Sequence, residues 1–194
     1  MVNYERGTSR LEFVVKKKPD GKLSDWLFDT KIDGTEVEIF GPLGRAIFQP
    51  DEARSVLCIA GGSGIAGMMS ILSRGCQEDY FRNHEGNLFF GVRTLKDAFF
   101  LDELANFASA FPDRLRITIA LSDEEVDAGA TDHNGALEFA TGFVHSVASE
   151  RMSGKYDNVV AYVAGPPPMV DGAIRSLIVD ARLPAELVRY DKYS

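Results

Sequence analysis

The sequence predicts an α/β fold built on a parallel sheet, preceded by a short β-rich segment with one helix. Three observations carry this. From residue 55 onward, five short apolar runs of strand length alternate with four helical patterns. A glycine-rich turn, Gly61-Gly-Ser-Gly64, joins the first strand to the first helix of that series. Before residue 50 the pattern instead alternates apolar and polar residues, with turn residues between.

In chain order, residues 11–17 alternate and then turn β-branched, as a strand does. Pro19-Asp-Gly21 makes a turn, and Ser24 is expected to N-cap a short helix over 25–28. A second strand is expected over 36–40, ending in the turn Gly41-Pro-Leu-Gly44. This piece is too short to close a barrel. A boundary is expected near Gln49-Pro-Asp-Glu52, dividing residues 1–50 from an α/β domain over 51–194. Strands follow at 55–60, 87–91, 115–121, 158–163 and 187–190, and helices at 65–74, 101–109, 143–150 and 168–181. The acidic, Gly-containing stretch 123–134 reads as a surface loop.

Composition narrows the function. With 45% hydrophobic and 26% charged residues the chain is an ordinary globular one, and a net charge of −8 opposes general binding to nucleic acid or an anionic membrane. No apolar run approaches the roughly 20 residues that span a bilayer, and the polar first residues do not resemble a signal peptide. Two separated cysteines, Cys58 and Cys76, are too few for a structural zinc or an iron–sulfur cluster and fit a reducing, cytoplasmic setting. No metal site is expected.

Gly62-Ser-Gly-Ile-Ala-Gly67 matches the GxGxxG dinucleotide fingerprint, in which backbone amides and the positive end of a helix face a pyrophosphate. The match alone is weak. Glu85 has the spacing of the usual ribose-binding acid but precedes its strand instead of ending it. A second strand-to-helix turn, Gly165-Pro-Pro-Pro-Met169, starts a helix with proline near its first position. Both turns belong on the carboxyl edge of one sheet, where such folds bind ligands. No His, Lys or Tyr constellation suits an ordinary Rossmann dehydrogenase: His84, His133 and His145 fall in a polar stretch, an acidic loop and a helix.

Gly61–Ala66, Gly91-Val-Arg93, Leu121-Ser122, Gly142-Phe-Val144, Gly165–Met169 and the closing Val188-Arg-Tyr-Asp-Lys-Tyr193 occur in order, and together they resemble the ferredoxin–NAD(P) reductase family. Upstream, Phe13–Lys16, Gly21–Ser24 and Gly41–Gly44 resemble later strands of that family's flavin barrel. The resemblance implies hydride transfer from NADH to FAD, then single electrons to an iron–sulfur ferredoxin feeding a multicomponent aromatic-ring monooxygenase. It implies that Gly62, Ser63, Gly64, Ile65 and Ala66 line the nicotinamide nucleotide pyrophosphate, with Gly165, Pro166, Pro167 and Met169 as the facing turn. Arg93 would meet a phosphate or ribose, or else pair as a surface ion; Ser122 and Asp123 would lie by the adenosine ribose. The acidic run Asp123-Glu-Glu125 would repel a 2′-phosphate, which favours NADH over NADPH.

On the flavin side the resemblance implies Val15, Lys16, Gly21, Lys22, Leu23 and Ser24, with Lys16 either a cation for the pyrophosphate or part of a solvated face. Tyr193, with Tyr190 competing for the role, would stack on the flavin, and Asp191 would lie close to it. Three departures stand out. Ala164 replaces a common cysteine, and Gly67 a common proline. The family's flavin-holding Arg-x-Tyr-Ser motif would fall just before Met1. The chain is therefore expected to be part of a longer reductase, with any 2Fe–2S centre in a missing domain or partner. The alternative is an NAD-binding piece without redox activity alone.

Overall fold

A computed structural model describes residues 1–5, 7–41 and 46–192. One helix, α1 (Lys22–Asp29), lies in the leading segment. The α/β part forms as the alternation predicts. Strand β1 (Ser55–Gly61) leads into helix α2 (Ile65–Gln77), and β2 (Gly86–Val92) precedes α3 (Leu101–Ala110). Then come β3 (Leu115–Leu121), the short hairpin β4 (Thr131–Asp132) and β5 (Leu137–Thr141), and α4 (Val144–Arg151). Finally β6 (Val159–Gly165) enters α5 (Pro167–Arg175), and β7 (Val188–Lys192) closes the sheet.

The sheet order is β4-β5-β3-β2-β1-β6-β7, and every neighbouring pair is parallel except β4 with β5. Connections leave β1 in one direction toward β2 and return on its other side as β6, so the switch in winding falls between β1 and β6. In open α/β sheets the crevice at that point, outside the carboxyl ends of the strands, is where ligands bind.

Alternation along the central strands divides the core. Val56, Cys58, Ala60, Val160 and Tyr162 pack with Ile65, Met68, Leu72 and Leu104 of α2 and α3 on one face. Leu57, Ile59, Ala161 and Val163 pack with Val147, Val170 and Leu177 on the other. Each such side chain removed from water contributes roughly 1.5–3 kcal/mol. A strand buried on both faces reads as a continuous apolar run, which is why β1 and β6 are so plain in the sequence.

Four expectations are corrected. The strands over 11–17 and 36–40 do not form: among the described residues there is no strand before Ser55, and so no barrel ladder. A strand needs a partner, and among the described residues, 11–17 have one main-chain bond across, from Val2 N–H to the Glu12 carbonyl (2.8 Å). Helix α1 begins at Lys22 with Gly21 as N-cap, so Ser24 lies inside it; the Ser24 hydroxyl donates back to the Gly21 carbonyl at 3.1 Å and accepts from Lys18 N–H at 3.1 Å. The stretch 123–134 is not all loop, because β4 pairs with β5 around His133 and Asn134, both with positive φ. The last long helix ends at Arg175 and continues as a π-turn over Ser176–Asp180. The turn expected at Gly41–Gly44 lies, from Pro42 on, outside the described residues.

The leading segment is attached along α2. Ser73 Oγ and Gln77 Nε2 donate to the Tyr4 carbonyl at 3.2 and 2.6 Å, and the buried Phe48 ring packs edge-on against Tyr80 and Tyr162. Pro50–Glu52 then make one 3₁₀ turn into β1.

Candidate functional site

A cleft of about 630 Å³ opens at the carboxyl edge of the sheet, within the range that holds small ligands. Its floor is built by close backbone contact. Gly61 ends β1 in extended conformation and Gly62 turns with φ +52° before α2 begins. A Cβ on Gly64 would stand 2.1 Å from the Ala164 carbonyl oxygen, so only glycine lets the start of α2 lie against β6. The helix start thereby brings its positive end to the crevice. A Cβ on Gly67, the last glycine of the fingerprint, would meet nothing within 4 Å, so that glycine is not needed for this approach.

The facing wall is the second turn. Gly165 has φ +150°, and a Cβ there would fall 3.0 Å from the Gly61 carbonyl oxygen, so the two strand ends touch through backbone. Pro166 caps α5, and Pro166, Pro168 and Met169 line the cleft. Among the residues expected at the pyrophosphate, Gly62 faces the cleft, whereas Ile65 and Ala66 are buried in the core and offer only main chain. Ser63, Gly64, Gly165 and Pro167 shape the turns from behind the lining.

At the far end, Arg93 Nε meets Asp123 Oδ2 at 2.8 Å, and Ser122 Oγ donates to Asp123 Oδ1 at 2.8 Å. The Arg93 bond and then the Ser122 bond hold the Asp123 carboxyl below the usual carboxylate range. Main-chain bonds from Ser122 N–H to Val92 and from Asp123 N–H to Arg93 keep the ends of β2 and β3 together. Arg93 is 81% exposed, pairs with Asp123 as a surface ion pair, and lines the cleft.

Sequence reasoning did not single out Gly91, Phe143 or His145 as site residues. A Cβ on Gly91 would stand 2.6 Å from Val144 Cβ, so Gly91 admits the start of α4. Phe143, 66% exposed on the cleft rim, stacks on His145 with centroids 5.9 Å apart. Burial lowers the His145 pKa, and its Nδ1 is buried without a partner among the described residues. The Gly142-Phe-Val144 motif was the available signal, but it follows β5, which the sequence did not reveal.

Lys16 lines this cleft. The other residues expected on the flavin side divide: Val15 and Leu23 are exposed, Gly21 caps α1 and Ser24 is buried with its hydroxyl engaged. The first amides of α1, at Lys22 and Leu23, fit the pyrophosphate of a flavin nucleotide as a helix start does; Ser24 does not offer its hydroxyl. Asp191 pairs with Ala164 in the β6–β7 ladder, and Lys192 Nζ binds Asp171 Oδ1 at 2.6 Å. Tyr193 lies outside the described residues; Tyr190 is half exposed with the Lys192 ammonium 5.6 Å from its ring centroid. Among the described residues no group of three His, Cys, Asp or Glu could hold a metal, and no helix is long and apolar enough to cross a membrane.

Residues 58–175, more than half of the chain, match the family model described as the oxidoreductase NAD-binding domain. The chain is 31% identical over 195 residues to the ferredoxin–NAD(+) reductase component of the alkene monooxygenase system of Xanthobacter autotrophicus, covering 100% of this chain and 55% of that protein. It is 28% identical over 193 residues to the ferredoxin–NAD(P)(+) reductase CarAd of Metapseudomonas resinovorans, covering 100% and 54%. The solved ferredoxin reductase in carbazole 1,9a-dioxygenase superposes with a TM-score of 0.68 at 27% identity, over 93% of this chain and 50% of that one. The chain thus spans about half the length of the relatives it matches. With its glycine turns, its switch-point cleft and these relatives in agreement, the chain belongs to the ferredoxin–NAD(P) reductase family and carries that family's oxidoreductase NAD-binding domain.

Proposed function

We propose that the cleft between β1 and β6 binds NADH, and that the complete protein passes its reducing equivalents through FAD to a ferredoxin or iron–sulfur domain of a multicomponent oxygenase acting on an aromatic ring. The observation that carries the nucleotide reading is the mutual backbone contact of the two glycine turns. With Gly64 against Ala164 and Gly165 against Gly61, a helix start faces a crevice free of side chains from either strand end. The relative named as the reductase component of an alkene monooxygenase system and the solved ferredoxin reductase in carbazole 1,9a-dioxygenase support the electron-transfer reading.

Each residue then has a task. The amides of the α2 start hold the pyrophosphate, the crevice that Pro166 and Met169 border takes the nicotinamide end, and Ser122 and Asp123 meet the adenosine ribose. Lys16 adds a cation at the mouth of the same cleft. Asp123, kept ionised by Arg93, repels a 2′-phosphate while occupying the nearest guanidinium, which favours NADH. FAD, when bound, accepts a hydride and releases electrons singly. The chain's own residues toward it are the α1 amides at Lys22 and Leu23, with Asp191 in the last strand and the terminal Tyr193. Residues 1–50 act as the flavin-side segment and 51–194 as the NAD-binding domain, working in the cytoplasm with any 2Fe–2S centre supplied outside this chain.

A second reading, NAD binding without redox activity of this chain alone, is favoured by the Ser24 hydroxyl, which bonds within its own turn instead of facing a ligand. One experiment separates the two. The 194-residue chain is mixed with FAD, desalted, and titrated anaerobically with NADH while its visible spectrum is recorded. A retained flavin band that NADH bleaches supports the reductase; NADH binding without retained flavin supports the second reading. Failure to bind either nucleotide overturns both.

A further inference from the structure

The crevice that the two glycine turns leave open is filled from within the chain. The terminal methyl of Met169 lies where a side chain on either glycine would be: 2.5 Å from a Cβ placed on Gly165 and 2.9 Å from one placed on Gly61. Its Cγ is 3.6 Å from the latter, so the thioether lies along the junction of β1 and β6. Met169 belongs to the first turn of α5, held by its N–H to the Pro166 carbonyl (3.1 Å). Its backbone is fixed by that bond, while its side chain is held by packing against the core on that side of the sheet. Its half-buried side chain is unbranched with three rotors, and it borders the open cleft into which it can turn.

We infer that the Met169 side chain is a displaceable plug of the switch-point crevice, which must swing out before the nicotinamide ring of the dinucleotide can enter. This rests on the reading of the cleft as the NADH site and adds a specificity-determining residue to it. A flat ring cannot share the space above Gly61 and Gly165 with the thioether. The pyrophosphate and adenosine ends lie over α2 and toward Asp123, away from Met169, and do not need it to move. The plug therefore reduces apparent affinity by the fraction of molecules in which it is out, and it does so only for ligands that carry the ring.

The test compares NADH with ADP-ribose, which lacks the ring, by equilibrium titration of the full chain and of M169A and M169F. Removing the plug in M169A should lower the dissociation constant of NADH about threefold or more and raise its association rate, with ADP-ribose unchanged within about twofold. The larger Phe of M169F should weaken NADH about tenfold with ADP-ribose again unchanged, since overfilling a site excludes its ligand. NADH affinity unchanged or weaker in M169A overturns the plug, because Met169 would then be a passive or favourable contact. Equal shifts for NADH and ADP-ribose overturn it too, because the effect would not belong to the ring. If the unaltered chain fails to bind ADP-ribose, the nucleotide reading itself falls and the plug with it.

Discussion

Arg93 and Asp123 hold one another across the ends of β2 and β3, Nε to Oδ2 at 2.8 Å, with Ser122 Oγ on the other carboxylate oxygen. In the proposed NADH complex, this pair sets one charge against another where the two nicotinamide dinucleotides differ by a phosphate. D123S frees the guanidinium and removes the repulsion in one step. The ratio of NADPH to NADH affinity should rise about tenfold, the gain expected from one charge-assisted bond to the phosphate. Binding titrations of both dinucleotides check this, and an unchanged ratio would show that the pair does not reach the ribose.

Two glycines in one motif should respond in opposite directions. G64A places a methyl 2.1 Å from the Ala164 carbonyl oxygen, and backbone cannot yield there without parting α2 from β6. A loss of about 1–3 kcal/mol in denaturant unfolding is expected, as for other overpacked sites. G67A meets nothing within 4 Å inside α2, so replacing glycine by a better helix former should stabilise by roughly 0.5–1 kcal/mol. Equal effects from the two would contradict the close approach of α2 to β6.

How much of this was legible differs by element for physical reasons. The strands β1 and β6, buried on both faces, announce themselves as apolar runs, and the glycines after them mark the crevice. Residues 11–17 also carry a strand pattern, but alternation records a preference for pairing, and no strand forms there among the described residues. Strand β5 was hidden because Leu137 to Thr141 is only five residues long and follows an acidic stretch. The position of Lys16 in the switch-point cleft depends on the folding of the leading segment over α2, a long-range placement that local pattern does not encode.

Arg189 joins the last strand to the leading segment. Its side chain is 12% exposed and binds Glu52, the Tyr162 hydroxyl at 2.9 Å and the Ile47 carbonyl at 3.3 Å. Burial pushes the Tyr162 hydroxyl up to about 12, so it stays neutral, and Glu52 carries the compensating charge. R189M should cost about 3 kcal/mol, because it leaves Glu52 charged at a largely enclosed site. Adding E52L should recover much of that loss, since an apolar pair replaces a broken ionic one. Urea unfolding of the two variants decides it, and a double variant no more stable than R189M would mean that the pair is not the joint.

His145 gives the fold a pH dependence with a definite sign. Burial against Gly172 and Phe143 disfavours its charged form, so its folded pKa lies below the unfolded value near 6.5. Below about pH 6.5 the unfolded chain takes up a proton that the folded one resists. The stability it contributes is therefore complete above that pH and falls as the solution is acidified through the window down to the folded pKa. H145F keeps the aromatic stack and removes the titration. Stability measured from pH 8 to pH 5 should fall more steeply in the unaltered protein than in H145F, with the two curves parallel above about pH 7. Parallel curves across the whole range would mean that the imidazole is solvated in the folded state. A steeper fall in H145F would reverse the sign and place a favourable acidic neighbour beside His145.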